Sequence, residues 1–152
     1  MDDTAAPLTT TDPNGQVTTL TYDQLCRPTG ATGPLGSFET RSYVNLGNAT
    51  TQKVRVETPG PDATSDWTEA YFDGWGRTYR TMKRGPSANQ SIVTDVQFNP
   101  RGGLDAQTAP YYANGTAKIT YFDYDGFDRP TVTTLPDLRT RSVSYPGLSA
   151  EG

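Results

Sequence analysis

The sequence predicts an all-β fold, in which antiparallel β-hairpin repeats form a twisted sheet. An aromatic residue followed by Asp, with Arg four residues after the Asp, occurs three times. Short runs rich in Val, Thr and Tyr alternate with Gly, Pro and Asn-Gly, which is the pattern of strands joined by turns. Only 33% of the residues are hydrophobic, and no apolar stripe of helical period is long enough to predict a helix.

Extended runs follow one another along the chain between turn signals. Asp12-Pro13-Asn14-Gly15 reads as a turn that leads into the first run. The predicted runs cover residues 16–22, 53–57, 67–73, 92–98, 117–124, 130–135 and 139–145. Asn114-Gly115 is a hairpin dipeptide, and we expect it to join a strand at Tyr111-Tyr112 to the strand that begins at Ala117. The longest predicted loops are residues 58–66 and 101–110.

The repeated motif is the most informative feature of the chain. Its residues are Tyr22, Asp23 and Arg27 in the first copy, Phe72, Asp73, Gly76 and Arg77 in the second, and Tyr124, Asp125, Gly126 and Arg129 in the third. Degraded copies begin at Tyr43 and Phe98. The resulting period of roughly 21 to 28 residues is typical of stacked supersecondary units.

The spacing within the motif predicts a hairpin turn. Three residues separate Asp73 from Arg77, and the third of them is Gly76, where a three-residue loop requires left-handed backbone. Asp73 and Arg77 should then face each other across the hairpin. Cys26 and Asp128 occupy the glycine position in the other copies, so strain or a rebuilt turn is expected there.

Proline follows the motif arginine in two copies, as Pro28 and Pro130. A proline has no N–H to donate to a sheet ladder. The two return strands are therefore expected to begin at a sheet edge or to pair from their far side.

Composition argues against several classes of partner. The net charge of −4 and the pI near 4.7 argue against nucleic-acid binding. The basic residues 77, 80, 83 and 84 are interpreted as a solvated strand edge without an assigned partner. No stretch approaches the about 18 apolar residues of a membrane helix.

The sequence does not predict an enzyme, a cofactor or a metal site. The chain has no histidine and a single cysteine, Cys26, so it lacks the usual relay partners for a nucleophile. Two alternatives stay open: a Ca²⁺ site at Asp123, Asp125 and Asp128, and paired carboxylates for glycoside hydrolysis. The recurrence of Asp23, Asp73 and Asp125 at equivalent positions favours a structural role, because a catalytic pair would occur once.

The unit Tyr71-Phe72-Asp73-Gly74-Trp75-Gly76-Arg77 resembles the YD repeats of RHS-repeat proteins, which include the B and C components of bacterial insecticidal toxin complexes and polymorphic toxins. The resemblance covers residues 12 to 145. It implies side-by-side hairpins in a sheet that winds into a hollow shell around an attached toxic domain. It also implies a secreted or cell-surface bacterial protein.

The resemblance sets the remaining expectations. Residues 1–10 should be a disordered lead-in, and residues 11–152 a YD-repeat segment of a longer protein. Its partners should be neighbouring repeats of the same polypeptide and the enclosed toxin domain, with self-association through open sheet edges. The alternative is a stand-alone β module that binds carbohydrate or protein through exposed aromatic residues, with Trp67, Trp75 and Tyr79 as candidates.

Overall fold

The computed structural model describes residues 7–61, 64–87 and 89–146, and the chain divides into two compact units after Ser91. These residues form thirteen β-strands and a 3-10 turn at Pro34–Gly36, without an α-helix. All the strand pairs described below are antiparallel. The predicted all-β fold of antiparallel hairpins is confirmed.

The first unit is a meander in which each strand pairs with the next one along the chain. Its strands are β1 (Thr9–Thr11), β2 (Val17–Tyr22), β3 (Pro28–Thr32), β4 (Phe38–Val44), β5 (Lys53–Pro59), β6 (Ser65–Phe72) and β7 (Thr78–Arg84). The turns after β2, β4 and β6 lie at the same end of the strands, because successive strands are antiparallel.

The second unit interrupts the same pattern once. Its strands are β8 (Ser91–Phe98), β9 (Leu104–Thr108), β10 (Tyr111–Tyr112), β11 (Ile119–Tyr124), β12 (Pro130–Thr134) and β13 (Thr140–Ser142). The pairing order is β8, β9, β11, β12, β13, and β10 pairs separately with β8. The turns at 99–103 and 125–129 lie at one end of the strands of this unit, and the turn at 135–139 lies at the other end.

Most strand residues are half-buried on both faces, so neither unit has a deep apolar core. Among the described residues, the buried apolar side chains are Val93 on β8 and Ala106 on β9. The buried charged residue is Glu69 on β6. Period-two alternation therefore distributes side chains between two partly covered faces.

Three of the expectations about boundaries were wrong. Pairing starts at Thr9, two residues before the predicted segment, and the rest of the lead-in up to residue 6 lies outside the described residues. Residues 104–108, predicted as loop, form β9. Tyr111–Tyr112 pairs with Ile92 and Val93, although the N–H of Gly115 does form a turn by donating to the Tyr112 carbonyl at 2.7 Å.

The two proline-initiated strands are interior, which corrects the expectation of an edge. β3 lies between β2 and β4, and β12 lies between β11 and β13. Pro28 and Pro130 are the first residues of these strands, where the ladder shifts register at a bulge. The missing N–H therefore falls where the regular ladder is already interrupted.

Candidate functional site

The motif residues build a five-residue turn, called the repeat turn below. The N–H of its first residue donates to the carbonyl of its fifth residue, and the N–H of its fourth donates back to the first. Within the described residues it occurs at 12–16, 23–27, 73–77, 99–103, 125–129 and 135–139. The degraded copy at Asn99 keeps this turn, whereas the one that begins at Tyr43 has a longer connection instead.

The carboxylate of the motif aspartate accepts hydrogen bonds from backbone N–H groups and forms an ion pair with the arginine. Oδ1 of Asp73 accepts the N–H groups of Trp75 and Arg77, each at 2.9 Å. Its Oδ2 accepts two guanidinium nitrogens of Arg77, Nε and NH2, both at 2.8 Å. Asp23 and Asp125 repeat these contacts with distances of 2.6 to 3.0 Å.

These contacts stabilise the ionised carboxylates. The hydrogen bond from the Arg27 side chain, followed by that from the Arg27 N–H, lowers the pKa of Asp23 below 3.8. The pKa of Asp125 is lowered in the same way by Arg129. Partial desolvation acts to raise the pKa of Asp73, but the N–H and the side chain of Arg77 outweigh it, and this pKa is lowered too. The three repeat turns that begin with aspartate thus favour the ionised form of its carboxylate.

The fourth residue of each repeat turn has left-handed backbone, whether or not it is glycine. The value of φ is 79° at Gly76, 58° at Cys26 and 59° at Asp128. The turn is therefore strained at Cys26 and Asp128 without being rebuilt. Leu138 has φ of 66° in the turn at 135–139, where Leu135 stands in place of the aspartate.

Tyrosine rings from sixteen residues further along the chain cover two of the motif arginines. The Arg27 guanidinium lies 4.3 Å from the centre of the Tyr43 ring, and the Tyr43 hydroxyl donates to the Pro28 carbonyl at 3.0 Å. Arg129, Tyr145 and Pro130 show the same arrangement, with distances of 4.3 and 3.0 Å. Each of these arginines therefore lies between a carboxylate and an aromatic face.

The aromatic residue before the motif aspartate contacts the preceding part of the chain. The hydroxyls of Tyr22 and Tyr124 donate to the carbonyls of Pro7 at 3.1 Å and Leu104 at 2.8 Å. Phe72 has no hydroxyl, and its backbone N–H donates to the Gln52 carbonyl at 3.2 Å. These contacts join each repeat to the one before it.

A charge cluster of Lys53, Arg55, Glu69 and Tyr71 lies on one face of β5 and β6. The register sets Lys53 opposite Tyr71 and Arg55 opposite Glu69. Glu69 is only 5% exposed, and its Oε1 lies 2.8 Å from Lys53 Nζ and 3.0 Å from Arg55 NH1. The Tyr71 hydroxyl donates to the Glu69 Oε2 at 2.7 Å.

Opposing effects set the ionisation of this cluster. Burial acts to raise the pKa of Glu69, but the hydrogen bonds from Lys53, Tyr71 and Arg55 outweigh it and lower the pKa below 4.5. Burial and the bond to Glu69 raise the pKa of Tyr71. The cluster therefore consists of a buried carboxylate between two cations and a neutral phenol. These contacts stabilise the buried carboxylate of Glu69 in its charged form.

The three candidate binding aromatics have different surroundings. Trp75 is 84% exposed at the tip of its repeat turn, with the Arg77 guanidinium 5.5 Å from its ring centre. Trp67 is half-buried under Arg55, whose guanidinium lies 4.7 Å from the ring centre. The Tyr79 hydroxyl donates to the Thr50 carbonyl at 2.9 Å. The structure does not bring the three together as one platform.

The acidic stretch around Asp125 acts as a capped turn. Asp125 binds Arg129, and Asp128 pairs with Arg101 at 3.0 Å. Gly126 is the second residue of this turn, and its carbonyl accepts Arg101 NH1 at 3.4 Å. The described part of the chain contains no group of three or more Cys, Asp or Glu residues placed to hold a metal ion. Cys26 is an exposed free thiol.

Sequence reasoning missed the charge cluster and the tyrosine contacts. The alternation in Lys53-Val54-Arg55-Val56-Glu57 is typical of a half-buried strand, yet both faces of β5 are partly covered. A usable signal was the match between alternating charges on β5 and the Trp67, Glu69, Tyr71 series on β6. For the arginines, the signal was a Tyr sixteen residues after Arg27 and Arg129.

Comparison with protein families agrees with this repeated architecture. The family model described as RHS Repeat matches residues 7–37. This range includes the repeat turn at 23–27 and the strands β2 and β3 on either side of it. The predicted resemblance is therefore confirmed by a match to an RHS repeat at residues 7–37. A search of curated proteins found no matching relative. In the part of the chain that the structure describes, no helix has the length and apolar character needed to cross a membrane.

Proposed function

We propose that this chain is a stretch of wall in a shell that encloses a toxic domain, within a secreted or cell-surface bacterial protein. The RHS repeat is a structural repeat, and in this proposal the chain contributes sheet to the shell. Its partners in this proposal are neighbouring repeats of the same polypeptide and the enclosed domain. Open strand edges would also allow self-association of the isolated chain.

The observation that carries the proposal is the shallow burial on both faces of each sheet. Only Val93, Ala106, Glu69 and Gly85 are buried among the described residues. A globular domain of this size ordinarily closes around a substantial apolar core. A sheet with two partly covered faces is instead suited to separate two compartments.

The repeat turns support the proposal in a second way. The repeat turns at 23–27, 73–77 and 125–129 each meet their own backbone hydrogen-bonding needs through Asp and neutralise that Asp with their own Arg. Hairpins can therefore be added one after another without a new partner for each turn. In repeat proteins, stability is approximately the sum of the contributions of single repeats and of contacts between neighbouring repeats. The charge cluster on β5 and β6 likewise joins adjacent strands of the wall.

The test is electron cryo-microscopy of the complete polypeptide encoded by the reading frame that contains this chain. We expect further repeats that continue the sheet and close around a non-repeat domain. Limited proteolysis should leave that domain intact until the repeats are cut. A reading frame without further repeats, or an open sheet with an accessible extra domain, would contradict the proposal.

A second candidate function is binding of carbohydrate or protein, and the exposure of Trp75 favours it. This indole ring is 84% exposed at a turn tip, and exposed aromatic residues are common binding anchors. The test compares the chain with its Trp75→Ala variant on a glycan array and in titrations with any glycan that binds. Binding that survives the substitution, or an array without hits, would contradict a Trp75-centred glycan site.

A further inference from the structure

The second unit has a groove between the neighbouring repeat turns at 99–103 and 125–129, where β9 begins and β11 ends. Its volume is about 390 Å³. Asp105 on β9 and Phe122 on β11 line it, and both are half-buried. Tyr121 pairs with Ala106, and one further step of this register sets Phe122 opposite Asp105. Residues directly opposite on neighbouring strands point to the same face, so the groove has a carboxylate beside an aromatic ring.

Elsewhere in the chain, a carboxylate beside an aromatic ring holds an arginine. In three places a guanidinium nitrogen lies 2.6 to 3.0 Å from a carboxylate oxygen, and the guanidinium carbon lies 4.3 to 4.7 Å from the centre of an aromatic ring. The three sites are Arg27 with Asp23 and Tyr43, Arg129 with Asp125 and Tyr145, and Arg55 with Glu69 and Trp67. At the groove, no cation of the described residues contacts Asp105 or Phe122. The pair therefore lacks the arginine that the other three sites hold.

The first unit shows what covers the equivalent place there. Its longer connection at 45–52 has the same position beside the turn at 73–77, since β4 to β7 pair in the same order as β8, β9, β11 and β12. Gln52 of this connection donates through Nε2 to the Asp73 carbonyl at 2.6 Å. A Cβ atom on Gly74 would lie 3.4 Å from the Ala49 Cβ, whereas one on the equivalent Gly126 would meet nothing within 4 Å. Polypeptide thus covers in the first unit the space that is open in the second.

We propose that the groove binds an arginine side chain of a partner polypeptide. The guanidinium donates to the Asp105 carboxylate and lies over the Phe122 ring, as at the three internal sites. The carbonyl of Asp125 corresponds to that of Asp73, which accepts Gln52 in the first unit. It has a second lone pair for an N–H of the partner's backbone. The partner segment therefore takes the place that the connection at 45–52 has in the first unit.

The charges around the groove favour a cationic partner. Asp125 and Arg101, which also line it, are already paired with other side chains. Asp105 and Asp123 have no ion-pair partner in the described part of the chain. Arginine suits the site better than lysine, because its planar guanidinium stacks on a ring and is more weakly hydrated. The inference does not rest on the proposed enclosure of a toxic domain.

NMR titration of the isotope-labelled full chain with the peptide acetyl-Gly-Arg-Gly-amide tests the site. We expect amide shifts at Asp105, Phe122 and Gly126. The same peptide with citrulline, a neutral analogue of arginine, should bind about ten-fold more weakly because it loses the charge-assisted bond. Methylguanidinium should also bind more weakly than the peptide, since it lacks the backbone contact. Equal binding of the citrulline peptide would overturn the arginine site, and equal binding of methylguanidinium would overturn a polypeptide as its occupant.

Substitutions in the chain test the two lining residues separately. Asp105→Asn should weaken binding of the arginine peptide about ten-fold, and Phe122→Leu should weaken it less. Asp66→Asn is the matched control, because Asp66 is exposed on β6 of the first unit, and it should leave binding unchanged. Circular dichroism checks that each variant is folded. Unchanged binding by both groove variants, or an equal loss in Asp66→Asn, would overturn the inference. These measurements use the isolated chain, so their failure is distinguishable from failure of the shell proposal, which is tested on the complete polypeptide.

Discussion

The repeat turns and the charge cluster on β5 and β6 use the same chemistry in opposite settings. In a repeat turn, Asp73 and Arg77 are four residues apart and roughly a quarter to a third exposed. In the charge cluster, Glu69 pairs with cations 14 and 16 residues earlier in the sequence, and it is almost fully buried. One region is determined locally, and the other depends on strand pairing.

The difference shows that the number of ion pairs says little about where stability resides. An exposed pair gains little, because water screens it and two long side chains lose freedom. Removing one partner of a buried ion pair lowers the free energy of unfolding much more, because the remaining charge is left without its counter-charge. The repeat turn matters chiefly because its carboxylate also accepts backbone N–H groups. At Arg27 and Arg129 a tyrosine ring also covers the guanidinium.

The largest effect should come from Glu69→Ala. This substitution leaves Lys53 and Arg55 close together without their shared buried carboxylate. We expect a loss of about 3 to 5 kcal/mol in the free energy of unfolding, measured by chemical denaturation with tryptophan fluorescence. Glu57→Ala is the control, because Glu57 is a third exposed and pairs with Arg55 alone, and it should cost less than about 1 kcal/mol. Equal losses would remove the distinction between the regions.

Acid should weaken both regions, because each contains carboxylates whose pKa is lowered on folding. The pKa values of Glu69, Asp23, Asp73 and Asp125 are all lowered on folding. The unfolded chain therefore takes up protons first, and stability present above the ordinary values of 4.5 and 3.8 is lost as the pH falls below them.

Melting temperatures recorded between pH 7 and pH 3 measure this loss. The Glu69→Gln variant should start from a lower melting temperature and decline less steeply below pH 4.5, since it lacks one of the titrating groups. A decline parallel to that of the unmodified chain would show that Glu69 ionisation does not contribute to stability.

Two substitutions at Asp73 separate the two roles of the motif carboxylate. Asn99 already accepts the N–H groups of Arg101 and Gly103 through its amide oxygen, at 3.0 and 2.9 Å. Asp73→Asn should therefore keep the backbone contacts and lose only the ion pair, whereas Asp73→Ala loses both. We expect a clearly lower melting temperature for Asp73→Ala. If the two variants melt together, the ion pair and not the backbone capping carries the effect.

Tyr43→Phe tests the contact that follows the first repeat turn. It removes the hydrogen bond to the Pro28 carbonyl and leaves the ring over Arg27. The expected loss is about 1 kcal/mol or less, since the site is partly exposed. Tyr112→Phe is a suitable control, because no side-chain partner is found for its hydroxyl among the described residues. An equal response of both variants would contradict a role for the Tyr43 hydroxyl.

The smallest effect should be a gain in stability from Cys26→Gly. Glycine adopts φ of 58° without the steric penalty of a side chain, although it also loses more backbone freedom on folding. The net gain should be about 0.5 kcal/mol. Cys26→Ala should give no gain, because alanine keeps the penalty. A gain from alanine as well would point to the thiol itself as the source.

The sequence predicted the repeat turn well, because every interaction in it lies within five residues. The three-residue spacing from Asp73 to Arg77 and the glycine at position 76 indicated both the hairpin and its left-handed residue. The spacing did not show that Cys26 and Asp128 keep the same backbone. Strain of this size is tolerated because the surrounding hydrogen bonds determine the turn.

Strand boundaries were harder to predict where a short strand has an unusual partner. Tyr111 and Tyr112 precede an Asn-Gly turn, which favoured pairing with the next strand along the chain. In the structure they pair with β8, and β9 takes the place beside β11. The dipeptide specified a turn, but the choice of partner depended on strands that are distant in sequence.

By itself, the sequence determined the all-β class, the repeat turns and the pairing of each motif aspartate with its arginine. These are consequences of short-range spacing and period-two alternation. Only the tertiary structure decided that Glu69 is buried between Lys53 and Arg55, that tyrosines cover Arg27 and Arg129, and that Asp105 and Phe122 line one groove. Each of these depends on the register between strands, which side-chain alternation alone does not specify.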